Sequence, residues 1–211
     1  MINIVIINFN ALESLERCLK SLSKIRQPFV VHLFDNSDIS PYNMEFDFVK
    51  YYDNTKGNII DFTNKIGTTK YASYTHAVSV QYMLDLLDEP FILLDSDVLL
   101  LKDISQIIDN NYNVISDVEN RKNMKTRFFP HLMYLNIKNS FRFVDEKRIV
   151  PYNVEYDTSA SLYEDMILNN GNFKVINADD YVFHEGRSSY KILKKREWDS
   201  IVSKWKEIMK K

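Results

Sequence analysis

Short apolar runs alternate with helically spaced apolar positions along the first half of the chain. The runs are rich in β-branched residues, which is typical of buried strands, and the spaced positions indicate amphipathic helices. Strands are predicted at Ile2–Ile7, Phe29–Phe34, Phe46–Tyr52 and Phe91–Leu94, and helices at Leu12–Leu22 and Tyr71–Leu87. Asn10 is the expected N-cap of the first helix, and Pro90 should end the second. Strands that alternate with helices predict a mostly parallel sheet.

The regular alternation of predicted strands and helices ends after about residue 110. Strands are predicted at Tyr112–Val118, His131–Ile137, Phe173–Ile176 and Tyr181–Phe183, with a helix at Ser159–Asn169 and a long basic helix from about Tyr190. No repeat, low-complexity tract or linker interrupts the chain, so we expect one α/β domain over residues 1–211. A mostly parallel central sheet flanked by helices should fill the first half, and a smaller mixed sheet the second.

Composition narrows the class of protein. The 211 residues are 45% hydrophobic and 27% charged, which suits one globular domain with a sizeable core. A formal charge of −2 argues against nucleic acid as a partner. The single cysteine, Cys18, excludes an internal disulfide framework and a cysteine-based zinc site, and it favours a reducing compartment. We therefore expect a cytoplasmic protein.

Two further sequence features exclude common classes. The amino terminus has no basic region and is interpreted as a strand, not a signal peptide, and no apolar run approaches the ~20 residues of a membrane span. The chain has four glycines, Gly57, Gly67, Gly171 and Gly186. Their spacing fits neither the dinucleotide-binding fingerprint nor the P-loop.

The segment FILLDSDVLL, residues 91–100, carries the most chemistry. Four apolar residues lead into Asp95, and Asp97 follows two positions later, so the two carboxylates can share one face of an extended segment. Ligands of open parallel sheets bind at the carboxyl ends of the strands, where a divalent cation would suit paired carboxylates. Alternatively, these acids cap a helix or lie in a solvated turn, and D-x-D alone does not decide.

Other polar residues are expected near the same edge. Asp35 closes the second predicted strand. His184 closes the short strand YVFH, and a neutral imidazole is a common metal ligand. Gly186 and Arg187 suit a loop over a diphosphate, because glycine allows close backbone approach and arginine supplies charge. The alternative for His184 is a buried core histidine with satisfied ring nitrogens.

The motifs together resemble a GT-A glycosyltransferase of the family-2 type, over residues 1 to about 190. The resemblance begins with three segments of the first half: the opening INIVIINFNALESLERCLKSL, the strand end FDNSD and the segment FILLDSDVLLLKDI. Three later segments agree with it. The acceptor-side strand is resembled by RFFPHLMYLNI, and the x-E-D motif at a helix start by SLYED. The carboxy-terminal metal histidine with its glycine loop is resembled by YVFHEGRSS. The resemblance implies the GT-A nucleotide-diphospho-sugar transferase fold, with a nucleotide-binding half at 1–110 and an acceptor half at 111–211.

The resemblance also implies roles for individual residues. Asp35 would contact the nucleotide base, and Asp95 would lie near the ribose. Asp97 and His184 would bind Mn²⁺ or Mg²⁺, with Arg187 at the diphosphate. The segment Thr68–His76 would line the nucleotide pocket, with Lys70 and His76 as contacts. Lys70, Ser73 and His76 stand there in place of the more usual Ala-Arg-Asn run. Asp165 would be the general base of an inverting reaction, with Glu164 beside it on the acceptor side.

The implied reaction is metal-dependent transfer of a hexose from a nucleotide-diphosphate sugar, with UDP-sugar favoured, to a hydroxyl acceptor. The cation would stabilise charge on the leaving phosphate, and Asp165 would take the acceptor's proton. The acceptor would be a saccharide, a glycan or a lipid-linked molecule. A retaining reaction stays open if Asp165 is not a base. Glu164 and Asp165 have a simpler explanation as acids favoured in a first helical turn.

Competing functions also follow from the sequence. A nucleotide-sugar-binding module of a larger glycosylation system, without turnover, stays open. A nucleotidyltransferase lacks its glycine-rich loop here, and a dehalogenase-type phosphatase would need glycine and threonine where Val98 and Leu99 stand. The basic carboxy-terminal helix, with Trp198 and Trp205 on one face, either docks on its own domain or rests on an anionic membrane surface.

Overall fold

The computed structural model describes residues 1–38, 41–62, 71–120, 122–137, 140–144 and 157–186, without the side chains of 71–73. The strands are β1 (Ile2–Asn8), β2 (Phe29–Asp35), β3 (Val49–Asp53), β4 (Phe91–Asp95), β5 (Val98–Leu100), β6 (Val114–Glu119), β7 (Arg127–Leu135), β8 (Phe173–Val175) and β9 (Val182–His184). The helices are α1 (Leu12–Ser21), α2 (Tyr71–Leu87) and α3 (Ala160–Leu168). The basic helix expected from Tyr190 lies outside the described residues.

A seven-stranded sheet organises the structure, in the order β3-β2-β1-β4-β7-β6-β8. The first four strands in this order run parallel to one another. β7 is antiparallel to both β4 and β6, and β8 is parallel to β6. A separate two-stranded sheet pairs β5 with β9 in antiparallel register. The expected α/β architecture with a mostly parallel central sheet is confirmed, and strands from the second half extend that same sheet.

Helices cover both faces of the central sheet. Ile4 and Ile6 of β1 point to the face covered by α1, and Val5 and Ile7 point to the face covered by α2 and α3. These side chains are at most 6% exposed. Burial on both faces explains why Ile4–Ile7 of β1 and Phe91–Leu94 of β4 are continuous apolar runs instead of alternating ones. Among the described residues, no helix is both long and apolar enough to cross a bilayer.

The start of α1 differs from the sequence-based prediction. The helix begins at Leu12, with Ala11 before it and no side-chain cap. Asn10 has a left-handed backbone, with φ of 53°, a conformation that asparagine tolerates well. Its amide Nδ2 donates to Asp38 Oδ1 at 2.5 Å, and its backbone N–H donates to Ser37 Oγ at 2.8 Å. The predicted N-cap role of Asn10 is therefore wrong, because its side chain holds the loop after β2.

Candidate functional site

Polar residues collect where the parallel strands end. Asn8, Asp35 and Asp53 end β1, β2 and β3 at matching positions of the register, and Asp95 ends β4 beside Ile7 of β1. This is the edge at which open α/β sheets bind ligands. The expectation that Asp35 and Asp95 share one edge of the sheet is confirmed.

Asp95 lies between two histidines. The antiparallel register pairs Leu94 with Leu132, so the next pair along the strands sets Asp95 opposite His131. His131 Nδ1 donates a hydrogen bond to Asp95 Oδ2. On the other side His76, in α2, brings Nε2 to 3.3 Å from Asp95 Oδ1. The side chain of Asp95 keeps 19% of its surface exposed, so it remains open to a ligand.

Asp97 contacts the third histidine of the site. The β5–β9 register pairs Val98 with His184, and the backbone carbonyl of Asp97 accepts a hydrogen bond from Glu185 N at 2.9 Å. This pairing brings Asp97 Oδ1 to 3.2 Å from His184 Nε2. The small sheet therefore fixes Asp97 and His184 relative to each other.

The two halves of the site meet through stacked imidazole rings. The ring centroids of His131 and His184 lie 3.3 Å apart, with an interplanar angle of 26°. Asp95, Asp97, His131 and His184 thus form one continuous group, which we call the carboxylate–imidazole cluster. Phe129 borders this cluster, with its ring centroid 3.9 Å from that of His131.

The carboxylates and imidazoles of the carboxylate–imidazole cluster shift one another's pKa values. Burial alone would raise the pKa of Asp95, but His131 and His76 outweigh it and hold that pKa well below its usual range. Burial alone would lower the pKa of His184, but Asp97, Asp95 and Glu185 together raise it above its ordinary value. Without a cation, these neighbours favour the ionised form of Asp95 and the protonated form of His184 more than water does. A cation that binds His184 would compete with a proton for the ring.

The loop that carries Glu185 is tied to α1. Arg17 donates from Nε and Nη2 to the two carboxylate oxygens of Glu185, at 2.7 and 2.6 Å. The side chain of Arg17 is 11% exposed and that of Glu185 is 1% exposed. This bidentate ion pair holds the chain directly after His184 against the helix.

Asp35 is more enclosed than its expected contact with a base suggests. It is fully buried, and both carboxylate oxygens accept hydrogen bonds from the protein. Oδ1 accepts from Asn8 and Ser37, and Oδ2 accepts from the backbone N–H of Tyr42 at 2.7 Å and from Tyr51. A direct contact with a ligand would have to replace one of these bonds. In this conformation Asp35 anchors the chain that follows β2.

Glu164 and Asp165 are not in the first turn of a helix, contrary to the sequence-based expectation. The helix α3 begins at Ala160, after Ser159 with φ of 69°, so both acids lie in its second turn. Asp165 lines a cavity of about 1020 Å³ together with residues of α2 from Val78 to Asp85 and with Asp88 directly after this helix. In the described part of the chain, no member of the carboxylate–imidazole cluster lines this cavity. Glu164 lies 3.5 Å from Lys125 Nζ.

Comparison with known proteins identifies the fold. No protein-family model matches the chain, and no curated protein matches it. Solved structures do match it, and two of them illustrate the likeness. The mannosyltransferase PcManGT from Pyrobaculum calidifontis, solved in complex with GDP-Man and Mn²⁺, matches with a TM-score of 0.50 and 9% identity. The glycosyltransferase GlyE from Streptococcus pneumoniae matches with a TM-score of 0.52 and 10% identity.

The chain has the GT-A glycosyltransferase fold. The match covers 83% of this chain and 54% of the mannosyltransferase, and 99% of this chain and 62% of GlyE. This GT-A chain therefore spans less than two thirds of the length of either structure. The GT-A fold that the sequence motifs implied is confirmed.

Three residues of the GT-A chain bring metal-binding atoms together. One donor atom each from Asp95, His131 and His184 lies within 4.8 Å of the others. Three ligands bound at about 2.1 Å to one ion lie about 3.0–3.6 Å from one another, so side-chain shifts of about 1 Å would close this group on a cation. The residues present therefore fit a metal site. The expected ligand His184 belongs to this group, and Oδ1 of Asp97, the other expected ligand, lies 3.2 Å from His184 Nε2, so its role as a metal ligand stays a prediction.

Sequence reasoning did not single out His131. The available signal was a histidine within the otherwise largely apolar strand RFFPHLMYL. Its partner, Asp95, becomes evident only from the register between β4 and β7. His76 was expected in the nucleotide pocket, and the structure places it against Asp95. Lys70 and Arg187 lie outside the described residues, so their roles at the diphosphate stay predictions.

Proposed function

We propose that this chain is a glycosyltransferase that moves a hexose from a nucleotide-diphosphate sugar to a hydroxyl group of a saccharide, glycan or lipid-linked acceptor. The supporting observation is the carboxylate–imidazole cluster in its setting. A GT-A fold carries, at the carboxyl end of β4, a group of side chains suited to a divalent cation. Such a cation and a diphosphate are natural partners, because Mg²⁺ and similar ions take phosphate oxygens as ligands.

The side chains of the cluster prepare the site for a diphosphate. Asp95 stays ionised at neutral pH, because neighbouring histidines hold its pKa well below its usual range, and it therefore attracts a cation. Asp97 accepts from Nε2 of His184 and fixes the orientation of that ring. When bound here, Mn²⁺ or Mg²⁺ would supply electrostatic stabilisation of the charge that develops on the leaving phosphate.

The proposed donor is a UDP-sugar, and GDP- and dTDP-sugars are the alternatives. The motif resemblance favours UDP, and the similar mannosyltransferase was solved with GDP-Man and Mn²⁺, which supports a nucleotide sugar as the class of donor. Asp35 would support the base pocket through the chain segment that it anchors. Lys70 and Arg187 would neutralise the diphosphate. We propose that the protein acts in the cytoplasm, with peripheral membrane contact through its basic carboxy-terminal segment if the acceptor is lipid-linked.

Asp165 is proposed as the general base of an inverting transfer, with Glu164 beside it. The support from geometry is the cavity of about 1020 Å³ that Asp165 lines, which has room for a hydroxyl-bearing acceptor. A carboxylate that takes the acceptor's proton during attack typically contributes about 10²–10⁴-fold to the rate. A retaining reaction would leave Asp165 without this role.

The experiment is a donor-cleavage assay with Mn²⁺ that follows nucleoside diphosphate released from UDP-hexoses and GDP-mannose. Asp165→Asn should lower turnover by at least about 100-fold and leave nucleotide affinity unchanged. Asp85→Asn is the matched control, because Asp85 lines the same cavity. Equal losses in both variants, or no loss in Asp165→Asn, would remove the assignment of the base.

A nucleotide-sugar-binding module without turnover is the second candidate. One observation favours it: among the described residues, the cavity of Asp165 shares no residue with the carboxylate–imidazole cluster. A binding module would retain metal-dependent affinity for the nucleotide, and no donor would be cleaved in the assay with any acceptor. Cleavage above the uncatalysed rate excludes this candidate.

A further inference from the structure

The cavity that Asp165 lines combines apolar walls with an excess of negative charge. Its walls include four apolar or aromatic side chains, those of Val78, Tyr82, Phe141 and Val144. Three carboxylates line it, from Asp85, Asp88 and Asp165, against one guanidinium, from Arg142, so the lining has a formal charge of −2. Such a lining suits an occupant that carries both apolar groups and positive charge.

Exposed apolar side chains adjoin this cavity. Leu86 lies in sequence between Asp85 and Asp88, and Ile167 and Leu168 follow Asp165 on α3. These three apolar residues are 46–66% exposed. Exposed apolar residues that collect beside a cavity indicate a surface on which another segment or molecule packs.

The chain that follows Gly186 has the complementary charge. Residues 187–211 contain nine of the 27 lysines and arginines and three of the 29 acids. The formal charge of this segment is therefore +6, which leaves −8 for residues 1–186 out of the total of −2. Opposite charges of this size draw the segment towards acidic surfaces of its own domain.

The same segment also supplies an apolar face and the length to reach the cavity. Apolar residues recur three or four positions apart, as on one side of a helix, at Trp198, Ile201, Val202, Trp205, Ile208 and Met209. A helix over residues 190–211 would be about 33 Å long, roughly the diameter of a small domain. The segment begins beside His184, next to Gly186, and can therefore extend across the domain to the cavity.

We infer that residues 190–211 dock on the cavity between α2 and α3. The face with Trp198 and Trp205 packs against the apolar walls, and the basic residues lie towards the carboxylates of the lining. The cavity is then a docking surface for a segment of its own chain. The inference rests on the proposed function in one respect only: an acceptor that reaches Asp165 has to share the cavity with this segment or displace it.

Tryptophan fluorescence of the full chain tests the docking. Trp198 and Trp205 are the two tryptophans of the chain, so their emission reports on this segment alone. In the wild type without lipid, the emission should be blue-shifted and acrylamide should quench it weakly. About 1 M NaCl should shift the emission to the red and raise the quenching several-fold, because salt screens the attraction between the segment and the cavity.

Reversing charge in the cavity should have the same effect as salt. Asp85→Lys combined with Asp88→Asn changes the formal charge of the lining from −2 to +1. Asparagine is chosen at position 88 because Asp88 has a φ of 52°, which asparagine tolerates. Asp179→Lys combined with Asp180→Asn is the matched control. It makes the same change of charge at two exposed acids, beside Ala178 on the α1 face of the sheet, and should leave the emission unchanged.

Carbodiimide coupling of the wild type removes any dependence on how the variants fold. The reagent joins lysine amines to carboxylates that they contact. Mass spectrometry should find links within one molecule from lysines of residues 190–211 to Asp85 or Asp88, and mixing with isotope-labelled protein excludes links between molecules.

Several outcomes would overturn the docking. They are solvent-exposed tryptophans in the wild type, equal changes in the two charge variants, and links only to acids outside the cavity. A blue shift that needs vesicles of phosphatidylglycerol would assign the segment to an anionic membrane and would overturn the docking too. The proposed function fails separately: a chain with docked tryptophans that neither binds nor cleaves nucleotide sugars keeps this docking surface.

Discussion

His131 and His184 stack ring on ring, with 3.3 Å between their centroids, although they belong to two different sheets. His131 is fixed by the pairing of β7 with β4, and His184 by the pairing of β9 with β5. Because β4 and β5 are separated only by the turn that carries Asp97, both sheets are tied to the same short D-x-D segment. This arrangement is what joins two carboxylates and two imidazoles in one cluster.

The protonation of His184 should depend on Asp97 in the metal-free protein. The folded-state pKa of His184 lies above the unfolded value of about 6.5, so the stability gained from its proton is fully present below that pH. This contribution is lost as the pH rises through the folded pKa. Asp97→Asn should return the pKa of His184 towards its ordinary value and flatten this loss. Nuclear magnetic resonance titration of the histidine rings measures the pKa, and urea unfolding at several pH values measures the loss of stability. An ordinary pKa for His184 in the wild type would contradict the expected contact.

The buried ion pair between Arg17 and Glu185 should be important for stability. Arg17→Met leaves the Glu185 carboxylate buried without its partner, which typically costs about 3–5 kcal/mol. Lys20→Met on the same helix is the control, because Lys20 and Glu16 form an exposed pair, and such pairs contribute about 0.3–0.5 kcal/mol. Urea unfolding measures the difference. Similar small losses in both variants would show that Glu185 does not depend on Arg17.

Asp95 and the acids near it also affect the pKa of the thiol of Cys18, the single cysteine. Cys18 is fully buried in α1, and burial first, then the charges of Asp97, Glu185 and Asp95, raises the pKa of its thiol. A thiol of this kind is protonated at pH 8 and shielded from reagents. Ellman's reagent should therefore leave the native protein unmodified and titrate one thiol after unfolding in urea. Rapid reaction of the native protein would show that α1 separates from the sheet.

Much of the fold was predictable because its strands are buried on both faces. β1 and β4 carry four consecutive apolar residues each, Ile4–Ile7 and Phe91–Leu94, and β2 is apolar except for His32 and Asp35. The helix α2 was predicted with the bounds that it has, Tyr71–Leu87. β5 was not predicted as a strand, since Val98–Leu100 is too short to show a period and follows directly on a turn. The bounds of α3 were predicted to within one residue, but Glu164 and Asp165 were wrongly expected in its first turn, because the helix already begins at Ala160.

The candidate site was predictable only where a motif is local. Asp95, Asp97 and His184 follow from D-x-D and from the glycine loop that ends β9. His131 depends on a strand register formed across 36 residues of sequence, which no local pattern encodes. The enclosure of Asp35 by Tyr42 and Tyr51 has the same origin, because those contacts form only when the chain after β2 folds back on its end.

Thermal unfolding with UDP, GDP, dTDP and CMP, each with and without Mn²⁺, tests the central claim most directly. A ligand at a hundred times its dissociation constant adds about 2.7 kcal/mol, a shift of several degrees for a chain of this size. We predict that one nucleoside diphosphate stabilises the protein, that this effect requires Mn²⁺, and that it disappears in Asp95→Ala. If no nucleotide shifts the transition with or without Mn²⁺, the cluster at the end of β4 is not a nucleotide-sugar site.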